Sequence, residues 1–557
     1  MISSINSRRL FIGILILLSL FVRIYRFNPE TGFISGDDAY VALASLDVFN
    51  IEASPHSIET TALRFLSFGW GYVRLLVTAL SIFIASIFHV PITEFVIIFP
   101  QIIIGILTCV LIYLLTKELF NHRVAILSSL IFSITPLAVS LSRTIYNAAN
   151  TSTFFLILFI FLFIKYLKYE KYKYLAPISL GIYLSSDNQF ISIFPVILFL
   201  IYWYEYDKHA NSFFASENIK RFFSKINLKF ISLVLITYLP ALLPFLYFYF
   251  IKGKIDGGII AHNFAKSKII GFHSEIVLYL IYSVGIILFL LFIFSIFQTI
   301  FSKKEKNRLF LTIWFCSYIL PWFFVISSGT NSRAYLLPGI IPLIILTADM
   351  LLRIRFKFIK YAIIAILFLS TLNHTVYTTY ELNSFKPLAP IYYDKGVFGN
   401  DYFYGDYVKD NWGIKSAGYW IRRNTDNSTK IFTTIGTPVA KYYFGKNPVD
   451  DGISFYSINS GTNEQKKKFF DTVKDNLDLV VIREQDVSAF KDIEKSFNRT
   501  LQITQNKVIK LIIYSKKSNQ TVQNISVDEY DNLFDSTYSN INDLKVECYF
   551  CLVNIPT

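Results

Sequence analysis

Two runs of more than twenty residues without a single charge, Phe230–Ile251 and Ile276–Phe301, limit what this chain can fold into more than any other feature. A bilayer's hydrocarbon core is roughly 30 Å thick and offers no water to an open backbone, so runs of this kind cross it as helices. Further spans fall at about 10–26, 92–116, 124–141, 150–166, 174–186, 188–204, 309–327, 334–352 and 358–373, with one more apolar stretch at 70–88. The balance of 54% hydrophobic to 17% charged residues fits the same class. The expected fold is an α-helical polytopic membrane protein.

The net charge of +14 does not point to nucleic acid, because the basic residues sit in short clusters between apolar spans, where they set orientation. Lys165/Lys168/Lys171/Lys173, Lys208/Lys220/Arg221/Lys225/Lys229, Lys303/Lys304/Lys306/Arg308 and Arg353/Arg355/Lys357/Lys360 fall in alternate loops. With Arg8/Arg9 and Lys117/Arg123 they place twenty-one basic residues on the presumed cytoplasmic side, against ten on the other. For the N-terminus and the Lys117–Arg123 loop both to be inside, only one of 70–88 and 92–116 can cross. The stretch that begins "WGYVR" is expected to lie along the outer surface or re-enter, leaving about eleven crossings with the N-terminus inside and the C-terminus outside. "MISSINSRRLFIGILILLSLFV" shows no small-residue cleavage site and reads as a retained first span.

From about residue 374 the glycine, asparagine, aspartate and tyrosine content rises and no further span follows. We therefore expect a membrane part at 1–373, with a first outer loop at 28–91, and an extracytoplasmic α/β domain at 374–557. In the latter "TKIFTTIG" and "LDLVVIRE" read as strands, and "GIKSAGYWIRRN" and "EQKKKFFDTVKDN" as helices. Five Asn-x-Ser/Thr sequons, at Asn373, Asn427, Asn498, Asn519 and Asn524, suit an exported location. Cys109 and Cys316 read as small hydrophobes inside spans, and the single pair Cys548/Cys551 is too little for a zinc site. No internal repeat of the kind found in many transporters is present.

This topology gathers polar residues at the outer face. "FISGDDAYVALAS" carries Asp37 and Asp38, and Arg64 follows; "SRTIYNAAN" brings Arg143 and Asn147; the loop at 252–275 brings His262, Lys266 and Lys268; "SGTNSRAYLLPG" brings Arg333 and Tyr335. A carboxylate beside an apolar site gains proton affinity and can act as a base, while cations at the same depth can hold a phosphate. Plainer roles compete with these. Lysines at a span's end snorkel, Arg143 and Asn147 can pair helices, and Asp37–Asp38 can sit at the start of a helix whose dipole favours acids.

"GDDAYVALAS" after a first span, a long outer loop, and then "TKELFNHRVAILSSLIFSITPLAVSLSRTIYNAANTSTFFLILFIF" together resemble the GT-C glycosyltransferases of family 39, the protein O-mannosyltransferase and lipid A aminoarabinose transferase superfamily. The resemblance runs over roughly residues 10 to 350. It implies transfer of a sugar from a polyprenyl or dolichyl phosphate to a protein, glycan or lipid acceptor at the outer or lumenal face. It also implies that Asp37 is the catalytic base, that Asp38 stands in place of a glutamate, and that Pro136, Arg143 and, imperfectly, Asn147 echo a Pro…Arg…Asp signature. "TEFVIIFPQ" lacks the arginine that often pairs with the loop acid, so Arg64, Arg74 or Arg333 would supply that charge.

The chemistry expected is a single inverting displacement in which Asp37 takes the acceptor's proton. Arg333, with Tyr335, His262, Lys266 or Lys268, holds the lipid phosphate. No metal is required, although an acidic pair can hold Mg²⁺ or Mn²⁺. The rival readings are a lipid-linked-sugar flippase or carrier, the oligosaccharyltransferase branch of the same fold, whose Trp-Trp-Asp motif "NWGIK" at Asn411–Lys415 does not match, and a catalytically silent glycan-binding membrane protein.

Overall fold

The computed structural model describes residues 2–25, 36–48, 72–145, 149–169, 171–186, 192–206, 226–250, 275–301, 305–324, 335–380, 413–426, 428–435, 437–445, 449, 463–490, 492–505, 508–516 and 522–526. Fifteen helices come first among these: α1 Ile2–Ile24, α2 Gly36–Asp47, α3 Tyr72–Ile87, α4 Glu94–Leu119, α5 His122–Ser133, α6 Pro136–Leu141, α7 Ala149–Tyr169, α8 Leu175–Ser186, α9 Ile193–Tyr206, α10 Leu228–Phe250, α11 Glu275–Val284, α12 Ile286–Phe301, α13 Lys306–Phe324, α14 Leu337–Leu352 and α15 Lys357–Tyr380. There follow α16 Ile414–Asn424, α17 Thr437–Phe444 and α18 Asn463–Val473, with strands β1 Ile431–Thr433, β2 Leu479–Arg483, β3 Asn498–Gln505, β4 Val508–Ser515 and β5 Gln523–Ser526. Three described helices, Glu94–Leu119, Ala149–Tyr169 and Lys357–Thr375, are long and apolar enough to cross a membrane on their own, and seven shorter apolar helices accompany them. At 16 residues α3 is about 24 Å long.

The described residues fall into two compact units, one drawn from Met1–Tyr25, Leu66–Arg74 and Gln101–Gly405, the other from Arg26–Phe65, Leu75–Pro100 and Asp406–Thr557. In the first, two spans expected as single helices are broken. The run at 124–141 becomes α5 and α6 because Pro136 has no N–H to continue α5 and pushes Thr135 into extended backbone, at φ −67° and ψ 129°. The run at 276–301 becomes α11 and α12 because Gly285 takes the left-handed conformation, at φ 88°, and its N–H closes α11 on the Ile281 carbonyl at 2.7 Å.

Close helix approaches in this unit rest on missing side chains. A Cβ on Gly181 of α8 would overlap the Thr237 hydroxyl of α10 and sit 2.5 Å from the Val234 carbonyl oxygen. Gly181→Ala is therefore expected to lower stability by about 1–3 kcal/mol through overpacking, read as a drop in melting temperature of the detergent-solubilised protein. Tyr183 of α8 and Tyr318 of α13, both buried, share a hydrogen bond of 2.7 Å between their hydroxyls. On α13 and α14, buried Arg308 pairs with Asp349 at 2.7 Å, and Arg353 reaches the same carboxylate at 3.0 Å. Between α12 and α13, the Arg353 guanidinium hydrogen-bonds Glu305 and holds its carboxyl below the usual range. The Lys165 and Lys168 ammonium groups of α7 both close on Glu118 of α4.

In the second unit the strands form one sheet of order β1-β2-β4-β3-β5. β1 and β2 are parallel, as a βαβ crossover through α17 and α18 requires, and β2 to β4 and β4 to β3 are antiparallel. Phe432, Val480, Ile482, Ile512 and Tyr514 of the sheet pack with Phe470, Phe490 and Phe497 into a core of its own. The α/β expectation for the C-terminal segment holds, and β3 to β5 extend it. Pro100, inside α4, frees the Val96 carbonyl four residues back. The Ser81 hydroxyl of α3 donates to that oxygen at 2.6 Å.

Candidate active site

The acidic pair of "GDDAYVALAS" lies in the first turn of α2, where unpaired N–H groups and the helix dipole favour carboxylates. Ala39, Ala42 and Ala44 are wholly buried, as are Asp38 and Tyr40. Their small side chains let α2 pack closely against α17 in the second unit. The backbone of Asp37 belongs to this helix; its side chain lies outside what the structure describes.

α17 is itself fixed by α16. Arg422 of α16 donates through Nε to the Tyr443 carbonyl at 2.7 Å and through Nη2 to the Tyr442 carbonyl at 2.9 Å, covering the C-terminal end of α17 with positive charge. Gly445 ends the helix in the left-handed region, at φ 67°. The two helices meet at Gly418, where a Cβ would lie 2.7 Å from the Tyr443 carbonyl oxygen.

One ion pair is buried at the base of this arrangement. Glu94, in the first turn of α4, pairs with the wholly buried Lys415 of α16 at 2.8 Å, and the Tyr443 hydroxyl donates to the other Glu94 oxygen. Lys441, on α17, is only 1% exposed. The start of α4 thus shares a buried ion pair and a hydrogen bond with α16 and α17 of the C-terminal segment, and α2 packs against α17.

In the first unit, three arginines are buried around the turn after α6. Arg143 donates to the Tyr25 carbonyl at 3.0 Å, tying that turn to the end of α1. Arg74 donates to the Ile145 carbonyl at 3.0 Å. Arg23 donates to the carbonyls of Ser19 at 3.2 Å and Ser133 at 3.3 Å, the second being the C-terminal residue of α5, and contacts the Cys109 sulfur. Gly105 leaves room for it, since a Cβ there would lie 2.8 Å from Arg23 Nε.

Comparison with solved structures matches nearly the whole chain. An oligosaccharyltransferase, AglB from Archaeoglobus fulgidus, solved with an inhibitory peptide and a dolichol-phosphate, aligns with 92% of this chain and 74% of its own, at 13% identity and a TM-score of 0.53. ArnT from Cupriavidus metallidurans, solved with undecaprenyl phosphate, aligns with 92% of this chain and 98% of its own, at 10% identity and a TM-score of 0.59. The chain has the GT-C fold. Residues 75–215 of this GT-C chain also match the model of the dolichyl-phosphate-mannose-protein mannosyltransferase family. A comparison with curated protein sequences finds no match.

The residues expected at the site divide accordingly. Asp38 and Arg143 are buried, and Tyr335 is half-buried just ahead of α14. Arg333, His262, Lys266, Lys268, Asn147 and Arg64 lie outside the described residues of the GT-C chain. Arg74, a candidate partner for the loop acid, hydrogen-bonds the Ile145 carbonyl. Among the described residues no three His, Cys, Asp or Glu side chains come together as metal ligands. Glu94, Lys415, Tyr443 and Lys441 were not expected. Glu94 had a signal, as the lone acid at the head of an apolar run, whereas Lys415 and Lys441 sit in segments whose composition reads as solvated.

Proposed function

We propose that the protein is a membrane glycosyltransferase that moves a sugar from a polyprenyl- or dolichyl-phosphate donor to an acceptor at the outer membrane face, with inversion. The observation that carries this reading is the acidic pair in the first turn of a buried helix, in a chain of GT-C fold. The Asp37 carboxylate accepts the proton of the acceptor hydroxyl as its oxygen bonds to the anomeric carbon. The bond from that carbon to the phosphate oxygen breaks on the opposite face, and the lipid phosphate leaves. Arg333, Tyr335, His262, Lys266 and Lys268, with Arg143, Asn147 and Arg64, are the groups to hold donor phosphate and substrate. The N-terminus is cytoplasmic and the C-terminal domain extracytoplasmic.

The test is transfer in vitro. Protein reconstituted in lipid is given radiolabelled sugars on polyprenyl and dolichyl phosphate, with peptide, glycan and lipid acceptors. Product is expected from at least one donor, with and without a chelator for Mg²⁺ and Mn²⁺. Absence of product from every donor would remove this reading in favour of a lipid-linked-sugar carrier or a catalytically silent glycan-binding protein.

A further inference from the structure

We propose that the C-terminal segment carries a saccharide-binding cleft, in which the Tyr514 hydroxyl and the Glu484 and Glu494 carboxylates take the hydroxyl groups of a sugar. The cleft, of about 510 Å³, lies where two 3₁₀ turns, Glu484–Phe490 after β2 and Ile493–Lys495 before β3, meet β4. Its volume falls in the range of roughly 300–1,000 Å³ common to small-ligand sites. Phe490, Ile493 and Tyr514 line it as buried side chains, and Glu484, Ser488 and Glu494 as exposed ones. An apolar floor is thus edged by oxygen atoms.

Tyr514 is the group that asks for a ligand. The hydroxyl of this wholly buried residue makes no hydrogen bond among the described residues. Arg499, opposite it on β3, lies 5.8 Å from the centre of its ring, but the guanidinium is engaged with Glu494 at 2.9 Å. A buried phenol ordinarily has a partner, because without one it loses its hydration for nothing. A ligand in the cleft that Tyr514 lines supplies that partner. Burial raises the phenol's pKa, so the group is a protonated donor at neutral pH.

The lining selects the class of ligand. Glu484 and Glu494 against Arg499 leave an excess of negative charge, which disfavours phosphates and other anions. A carboxylate accepts from two hydroxyls at once, the hydroxyls of Tyr514 and Ser488 both donate and accept, and the apolar floor receives C–H groups. An uncharged sugar uses all three, whereas a cationic peptide uses only the acids. The site stands whether or not the chain transfers sugar. Under the transfer reading, the saccharide it holds is an acceptor or product glycan.

The experiment is saturation-transfer NMR on the full chain in lauryldimethylamine oxide, a detergent without a sugar head group. The probes are methyl mannoside, methyl glucoside, methyl galactoside, N-acetylglucosamine, mannobiose and cellobiose, with tetralysine as the cationic peptide. At least one sugar is expected to bind, and Tyr514→Phe and Glu484→Gln are each expected to weaken it about fivefold or more. Without ligand, Tyr514→Phe is expected to melt no lower than wild type, since it removes an unsatisfied group. A fall of more than about 3 °C, or failure to fold, would show that the fold itself uses the hydroxyl, and overturns the proposal. Wild-type affinity in either variant also overturns it, because the sugar then sits elsewhere in the chain. Binding of none of the sugars, or of tetralysine alone, does the same. None of these readings requires transfer, so the cleft and the transferase reading fail separately.

Discussion

With Asp37 replaced by asparagine, sugar transfer is expected to fall by roughly 10²–10⁴-fold while the protein stays folded, the range that positioned general bases contribute. The amide keeps the size and shape of the carboxylate, and asparagine is as well suited as aspartate to a helix start, so the fold is expected to be preserved. What it loses is the capacity to take a proton from the acceptor at neutral pH. The fall belongs in kcat, with donor KM little changed, because the group acts on the proton in flight and not on the lipid. A folded Asp37→Asn protein with wild-type turnover would remove Asp37 as the base. Asp38→Asn tests a different quantity: Asp38 is wholly buried, so its replacement reports on the balance of charge around α2.

Lys415→Met is expected to cost about 3–5 kcal/mol, since it strands Glu94 as an uncompensated buried carboxylate. That is a large part of the 5–15 kcal/mol that holds a typical domain together. The remaining partner, the Tyr443 hydroxyl, gives Glu94 a single neutral donor. Glu94→Gln combined with Lys415→Met removes both charges and is expected to recover most of the loss, because a neutral pair of similar volume carries no desolvation debt. The measurement is thermal unfolding together with limited proteolysis of the C-terminal segment. A loss below about 1 kcal/mol for Lys415→Met would show that water reaches Glu94.

Most of the helical framework follows from apolar run length alone, because a lipid-facing backbone has few other solutions. The runs at 92–116 and 150–166 became α4 and α7 with ends shifted by a few residues. The breaks at Thr135 and Gly285 were written in the sequence as Pro136 and Gly285 themselves, but hydropathy averages over a single residue and so ran each span through. β1 and β2 were legible as short apolar runs buried on both faces. β3 and β5, with polar side chains interleaved, were not.

The acids of α2 and α4 carried a signal in the sequence, whereas the buried lysines of α16 and α17 carried none. Asp37 and Asp38 stand out because carboxylates are rare in such a chain. Lys415 and Lys441 come from a segment where lysine is common, and nothing local distinguishes a solvated lysine from one that another element will bury. Burial of this kind is decided by packing between segments hundreds of residues apart, which no local period encodes.

The hydrogen bond from Tyr443 to Glu94 joins residues 349 apart in the chain. At ordinary synthesis rates of about 5–20 residues per second, roughly 17–70 s separate the two residues' emergence from the ribosome. Through that interval the Glu94 carboxylate, at the head of a long apolar helix, has neither its lysine nor its tyrosine. The N-terminal part of the second unit must therefore wait, hydrated or held by a chaperone, until the segment that carries Lys415 and Tyr443 has been made.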